Sequence, residues 1–228
     1  MPMLESFKAY KLTYSIIAVN IVLYIFSALF SQDIIDMDMQ TLVDMGALYG
    51  PLVVLKGEWW RLFTAMFLHG GMTHILMNMF SLYLIGRGVE VYFEKKAYVS
   101  IYLFSGLIGG LASLYMHPNS VGIGASGAIF GVFGALAGFF LAHRDKIASH
   151  SKAFMKDFAV VLGINLVLGL SISSIDVSAH IGGLIIGLIG GFVISKNPKW
   201  IWGYSVAMMF LMFAIMQYLP SYYVQVFT

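Results

Sequence analysis

The sequence predicts an all-α, polytopic membrane protein, and three observations predict it. Of 228 residues, 60% are hydrophobic and only 11% are charged, against about a quarter charged in an ordinary soluble domain. Uncharged apolar runs recur along the whole chain, each near the roughly 20 residues that a helix needs to cross the hydrocarbon core. Lys and Arg gather on alternate connections between those runs, the pattern of loops facing a cytoplasm. The same composition excludes other classes. A net charge of +2, scattered along the chain, suits no nucleic acid. The absence of cysteine removes disulfides and any thiol nucleophile.

The elements follow from the runs. The first is Leu12 to Gln32, preceded by Lys8 and Lys11. It is longer than the roughly 7–15 residues of a signal-peptide core and lacks a small-residue cleavage site, so it reads as an uncleaved span. A segment of mixed polarity from Asp33 to Gly71 ends with Trp59, Trp60 and Arg61, residues typical of a membrane interface. The second span is Leu62 to Gly86. Ala97 to His143 carries no formal charge and is long enough for two spans, divided at the turn signal His117-Pro118-Asn119-Ser120. Phe158 to Ile175, Val177 to Ser195 and Trp200 onward complete seven spans in one membrane domain covering residues 1–228, with a core of about 12–195 and an extra helix of about 200–220.

With the N-terminus inside, Lys8, Lys11, Lys95, Lys96, Arg144, Lys146, Lys152, Lys156, Lys196 and Lys199 fall on inner segments, and only Lys56 and Arg61 fall outside. That asymmetry orients the chain with its N-terminus cytoplasmic and its C-terminus outside. Arg87 and Glu90, three apart on one helix, are expected to pair near the inner face.

Polar side chains within spans are costly and point to function. Four stand out: His74 and Asn78 in the second span, Ser126 at the start of the fourth, and His180 in the sixth. Seventeen residues separate Asn78 from Lys95, eighteen separate Ser126 from Arg144, and sixteen separate His180 from Lys196. At about 1.5 Å per residue these three lie at similar depth, roughly 24–27 Å from the inner boundary. His74 sits one turn further out than Asn78 on the same face. Gly127, Gly131, Gly134 and Gly138 lie in the fourth span and Gly183, Gly187, Gly190 and Gly191 in the sixth, a spacing that lets helix backbones approach closely in lipid, and the two faces are expected to pack together. His180, one turn before Gly183, then points at the start of the fourth span, where Ser126 lies.

A serine hydroxyl needs a neighbouring base to act as a nucleophile, and histidine is the usual one. Ser126 lies in Gly124-Ala125-Ser126-Gly127, at a loop-to-helix junction whose unpaired N–H groups and dipole suit an oxyanion. His74 and Asn78 offer side-chain donors to the same place. No carboxylate is placed to orient His180; Asp176 lies one turn earlier, at the outer boundary, which favours a dyad over a triad. His69, near the outer interface, reads as loop support. Singly, each motif also reads as helix packing.

Together, Trp60-Arg61, the spacing of His69, His74 and Asn78, Gly124-Ala125-Ser126-Gly127, and Ala179-His180-Ile181-Gly182-Gly183 followed by Gly187 resemble the rhomboid family over roughly Glu58 to Gly191. The resemblance implies a rhomboid-like six-helix core with a water-accessible cavity opening outward, here followed by a seventh helix. It implies an intramembrane serine protease with Ser126 as nucleophile and His180 as general base. His74, Asn78, Gly124 and the Ser126 N–H would surround the oxyanion and substrate. Transmembrane helices of other proteins in the bilayer would be its substrates, and no metal, organic cofactor or nucleic acid is implied. Phe130 stands where some members carry a tyrosine packed on the histidine, so an aromatic face remains without its hydroxyl. The alternatives are a catalytically silent relative that binds membrane helices, a small-solute transporter, and a zinc protease on His69, His74 and His180. The transporter lacks charged residues at mid-span, and the zinc protease lacks a His-Glu-x-x-His motif.

Overall fold

The computed structural model describes residues 9–145, 156, 159, 160, 162, 163 and 176–227. Its long helices are α1 (Lys11–Ser31), α4 (Met72–Tyr92), α5 (Lys95–Met116), α6 (Ser126–Ala142), α7 (Val177–Lys196) and α8 (Trp200–Phe227). Short helices α2 (Met39–Asp44) and α3 (Arg61–Thr64), a π-helical turn at Pro51–Leu55 and a 3-10 turn at Ala65–Phe67 fold the segment between α1 and α4. Strand β1 (Leu48–Tyr49) pairs antiparallel with β2 (Val121–Gly122), with Leu48 opposite Gly122. The expected span Phe158 to Ile175 lies outside the described residues, apart from a few isolated positions. Among the described residues four helices, α1, α5, α7 and α8, are long and apolar enough to cross a membrane, and α6 is a shorter apolar helix. The chain is a multi-pass membrane protein.

The helices are sorted inside out relative to a soluble bundle. On α1 the protein-facing positions are Thr13, Asn20, Tyr24, Ser27 and Ala28, while Val22, Leu29 and Phe30 are exposed. Lipid solvates large aliphatic side chains as well as a protein interior does, so helix contacts form through small and polar residues instead. The first turn of α1 leaves backbone N–H groups without intrahelical partners. Glu90 of α4 meets them: its carboxylate accepts from the N–H of Leu12 at 2.8 Å, the N–H of Thr13 at 2.9 Å and the Thr13 hydroxyl at 2.7 Å. A negative charge at that helix end is also favoured by the dipole. The expected Arg87–Glu90 pair is therefore not formed. Arg87 instead bonds the Tyr83 carbonyl at 2.9 Å and lies over the Tyr83 ring.

The second span begins later than the apolar run. Residues 62–71 are uncharged, yet they fold as α3, the 3-10 turn and a loop, and the helix runs Met72–Tyr92. Arg61 explains the difference. It is 6% exposed, buried rather than interfacial, and donates from Nη1 to the carbonyls of Val43 (2.5 Å) and Ala47 (3.1 Å) while Nε meets Glu58. Thr64 adds a bond to the Gly46 carbonyl at 2.7 Å. These ties hold residues 43–65 as a folded layer at one end of the bundle, opposite the end that carries Lys95, Lys96, Lys196 and Lys199.

The turn at His117–Ser120 divides α5 from α6 as the sequence predicts. The seventh helix runs past the expected end at Pro220 to Phe227. Tyr222 and Tyr223 anchor that last stretch: Tyr223 donates to the Leu114 carbonyl at 2.8 Å, and Tyr222 to the Tyr115 carbonyl at 3.1 Å.

Candidate active site

Helix α6 lies at the centre of the bundle and packs most extensively on α7. The glycines set the distance between them. A Cβ on Gly183 would collide with the Gly127 carbonyl, one on Gly187 with the Gly131 carbonyl, and one on Gly191 with the Ala135 carbonyl. From the other side, Gly134 and Gly138 face the carbonyls of Leu184 and Leu188. Two backbones in direct contact leave almost no freedom in the relative height of their side chains.

That contact fixes the register of the two residues just above it. The Ser126 Oγ and His180 Nε2 are 2.8 Å apart, a normal hydrogen-bond distance. For Nε2 to accept the serine proton, Nδ1 must carry the imidazole hydrogen. Nδ1 is buried and has no partner among the described residues. The ring is held by its face instead. Phe130, one turn after Ser126, stacks on His180 with ring centroids 4.2 Å apart and planes 9° from parallel.

Asp176 does not reach the imidazole nitrogens. It caps α7, its side chain accepting from the Ala179 N–H at 3.1 Å and from the Ser178 hydroxyl. Burial alone would raise its carboxyl. Hydrogen bonds from Ser113, Ser178 and the Ala179 N–H, with His117 3.9 Å away, outweigh that and hold it below the ordinary carboxylate range.

The approach to Ser126 is a tight loop. Gly124 has φ +111°, a backbone conformation that side chains rarely adopt, and its N–H donates to the Ala65 carbonyl at 2.9 Å. A Cβ there would stand 2.7 Å from His74 Nε2 and 3.7 Å from Asn78 Nδ2. Glycine is thus required for both conformation and room. Gly124, His74 and Asn78 converge beside the start of α6, as their depths along the sequence predict. Asn78 is 7% exposed, and its Nδ2 donates at 3.2 Å to the His74 carbonyl, one turn earlier on α4. His69 is fully buried, and its ring lies edge-on to His74 with centroids 5.0 Å apart. The Ala65 carbonyl escaped sequence reading because a backbone acceptor leaves no trace in residue identity.

The arrangement offers a hydroxyl bonded to an imidazole, a helix start with N–H groups lacking intrahelical partners, and two polar side chains against the same loop. Residues 56–197 match the family model described as "Rhomboid domain". Over 162 residues the chain is 38% identical to "RHOMBOID-like protein 6, mitochondrial" of Arabidopsis thaliana, covering 71% of this chain and 52% of that protein. It is 40% identical over 153 residues to "Rhomboid protease GluP" of Bacillus subtilis (strain 168), covering 67% of this chain and 28% of that protein. With "Putative rhomboid protease YdcA" of the same bacterium it shares 32% identity over 191 residues, 82% of this chain and 88% of that one. The chain therefore spans about half the length of the first relative and under a third of the second.

Proposed function

Because this chain belongs to the rhomboid family, we propose that it is an intramembrane serine endopeptidase that cuts transmembrane segments of other proteins near their outer ends with a Ser126–His180 dyad. The observation that carries the reading is the 2.8 Å hydrogen bond between Ser126 Oγ and His180 Nε2, made between helices locked by backbone contact.

In this reading, His180 Nε2 takes the hydroxyl proton as Ser126 Oγ bonds to a substrate carbonyl carbon. The carbonyl π electrons move to oxygen, and the first-turn N–H groups of α6, with His74 and Asn78, donate to that oxyanion. The imidazolium returns its proton to the departing amine as the C–N bond breaks, leaving an acyl group on Ser126. Water repeats the cycle and restores the hydroxyl. Among the described residues no carboxylate hydrogen-bonds the imidazole. The Phe130 ring holds its orientation, and the face of an aromatic ring favours a neighbouring cation. Gly124, without a side chain, leaves the oxyanion side open to the substrate backbone.

An intact substrate helix hides its carbonyls in its own hydrogen bonds. Small or helix-destabilising residues near the cut would therefore favour cleavage. The basic-residue asymmetry supports an N-terminus in the cytoplasm and a C-terminus outside, and in this reading the membrane is the cell membrane and the site opens outward.

The test is cleavage of a reporter transmembrane substrate by the purified protein in lipid. Ser126→Ala and His180→Ala should each abolish cutting while the unfolding temperature stays within a few degrees of wild type. Cutting by Ser126→Ala at the wild-type rate would sink the mechanism. His74→Ala and Asn78→Ala should each lower the rate by a smaller factor, on the order of 10²-fold. An unchanged rate in both would remove them from the oxyanion site.

A further inference from the structure

At the lysine-bearing end, far from Ser126, helices α5 and α8 part and leave two adjoining cavities of about 300 and 540 Å³ that share Lys96, Ile201 and Trp202. The walls of the larger are apolar: Val99, Leu103, Phe104, Leu107, Ile201 and Trp202. Its polar residues at depth, Ser100 and Ser205, bond each other at 2.8 Å, so the floor holds no unmet hydroxyl. Lys95, Lys96 and Lys199 stand exposed at the mouth, and among the described lining residues Glu94 is the one carboxylate. Both α5 and α8 begin at this mouth, so two helix dipoles add positive potential to the lysines. Lys196 is turned away onto the Phe192 ring, 4.6 Å from its centroid.

We propose that this groove binds an anionic phospholipid, one acyl chain lying between α5 and α8 and the phosphate held at Lys95, Lys96 and Lys199. The occupant is a lipid because the groove opens sideways beside Trp202, 70% exposed, along a helix whose outer face is apolar. It is an anionic lipid because, among the described lining residues, three cations and two helix starts face one carboxylate. Basic pockets between helices at a membrane boundary recognise such headgroups. A zwitterionic lipid would satisfy the walls but leave the mouth without a counter-charge. This site makes no use of the dyad and stands or falls independently of the proteolytic reading.

The experiment is native mass spectrometry of the full chain, released from detergent after incubation with equal amounts of phosphatidylglycerol and phosphatidylcholine of matched chain length. Wild type should retain phosphatidylglycerol about tenfold or more over phosphatidylcholine. Each of Lys95→Gln, Lys96→Gln and Lys199→Gln should lower that preference up to about fivefold, and the triple variant should erase it. Arg144→Gln, at an exposed residue after α6, should change nothing. Ser205→Leu should fill the groove and lower retention of both lipids; Leu103→Trp does so from the opposite wall if the first variant folds poorly. Equal retention of the two lipids by wild type, or a preference that survives the triple variant, overturns the proposal. So does a loss in Arg144→Gln as large as in the lysine variants, which would mean general surface attraction.

Discussion

The contact between α6 and α7 and the contact between α5 and α8 follow opposite rules. The first is glycine against backbone carbonyl at three successive turns. The second is made by large groups: the Phe104 and Tyr204 rings at 6.0 Å, the Tyr115 and Tyr222 rings at 4.9 Å, and tyrosine hydroxyls on carbonyls. The first leaves no gap and the second opens a groove. Both solve the same problem, association without a hydrophobic driving force. Contact through backbones fixes height and rotation together, which a hydrogen bond between side chains on two helices requires. Contact through long side chains tolerates sliding, which suffices for a helix at the rim.

The comparison is broken most severely by adding volume to the tight contact. Gly187→Val should drive α6 and α7 apart at Gly131, costing about 3 kcal/mol of stability or more. Turnover should fall at least about 100-fold, because a displacement near 1 Å at the reacting groups has that effect. Thermal unfolding and reporter cleavage measure the two losses. Near-wild-type cleavage would show that the dyad does not depend on this contact.

Next in size is Gly124→Ala, which tests the loop rather than the helices. It forces a side chain into a positive-φ position and against His74, at a cost of about 1–3 kcal/mol. Cleavage should fall by more than about tenfold while α6 and α7 stay together, as a cross-link between cysteines placed lower on those helices would report. Unchanged cleavage would free the loop from any part in positioning Ser126.

Asp176 sharpens the comparison at the start of α7. Its carboxyl titrates below the unfolded value of about 4, so the cap contributes fully above that pH and is lost as pH falls through the lowered folded value. Asp176→Ala should cost about 1 kcal/mol at pH 7 and less near pH 3, below the unfolded value. Unfolding curves at the two pH values check it, and an equal loss at both would mean that the cap is not electrostatic. Smallest is Tyr223→Phe in the loose contact, expected to cost about 1 kcal/mol with cleavage changed less than threefold. A large drop in cleavage there would show that α8 reaches the site after all.

Much of the site was legible in the sequence because membranes make depth countable. Distances from Asn78, Ser126 and His180 to the next lysine or arginine put all three on one level, and the glycine spacing named the faces in contact, Gly190 apart, which meets Tyr204 and Ile101 instead. What was not legible has a common cause: charge was read as a marker of water. Arg61 is buried because carbonyls of Val43 and Ala47 solvate it, and Glu90 serves the start of α1 rather than Arg87. An apolar run shows where charge is missing, and it cannot say that residues 62–71 fold against a neighbouring layer before the helix begins. The last helix was expected to end near residue 220, yet tyrosine hydroxyls on the carbonyls of α5 secure the turn beyond it.

The strand leading into the Ser126 loop hangs from the folded layer at two points, the β1–β2 ladder and the bond from Gly124 to Ala65. An antibody fragment or small molecule that grips residues 43–65 and loosens either hook would switch off the hydroxyl without entering the pocket or competing with substrate. Under the proteolytic reading, that gives an inhibitor a handle away from the path of the substrate.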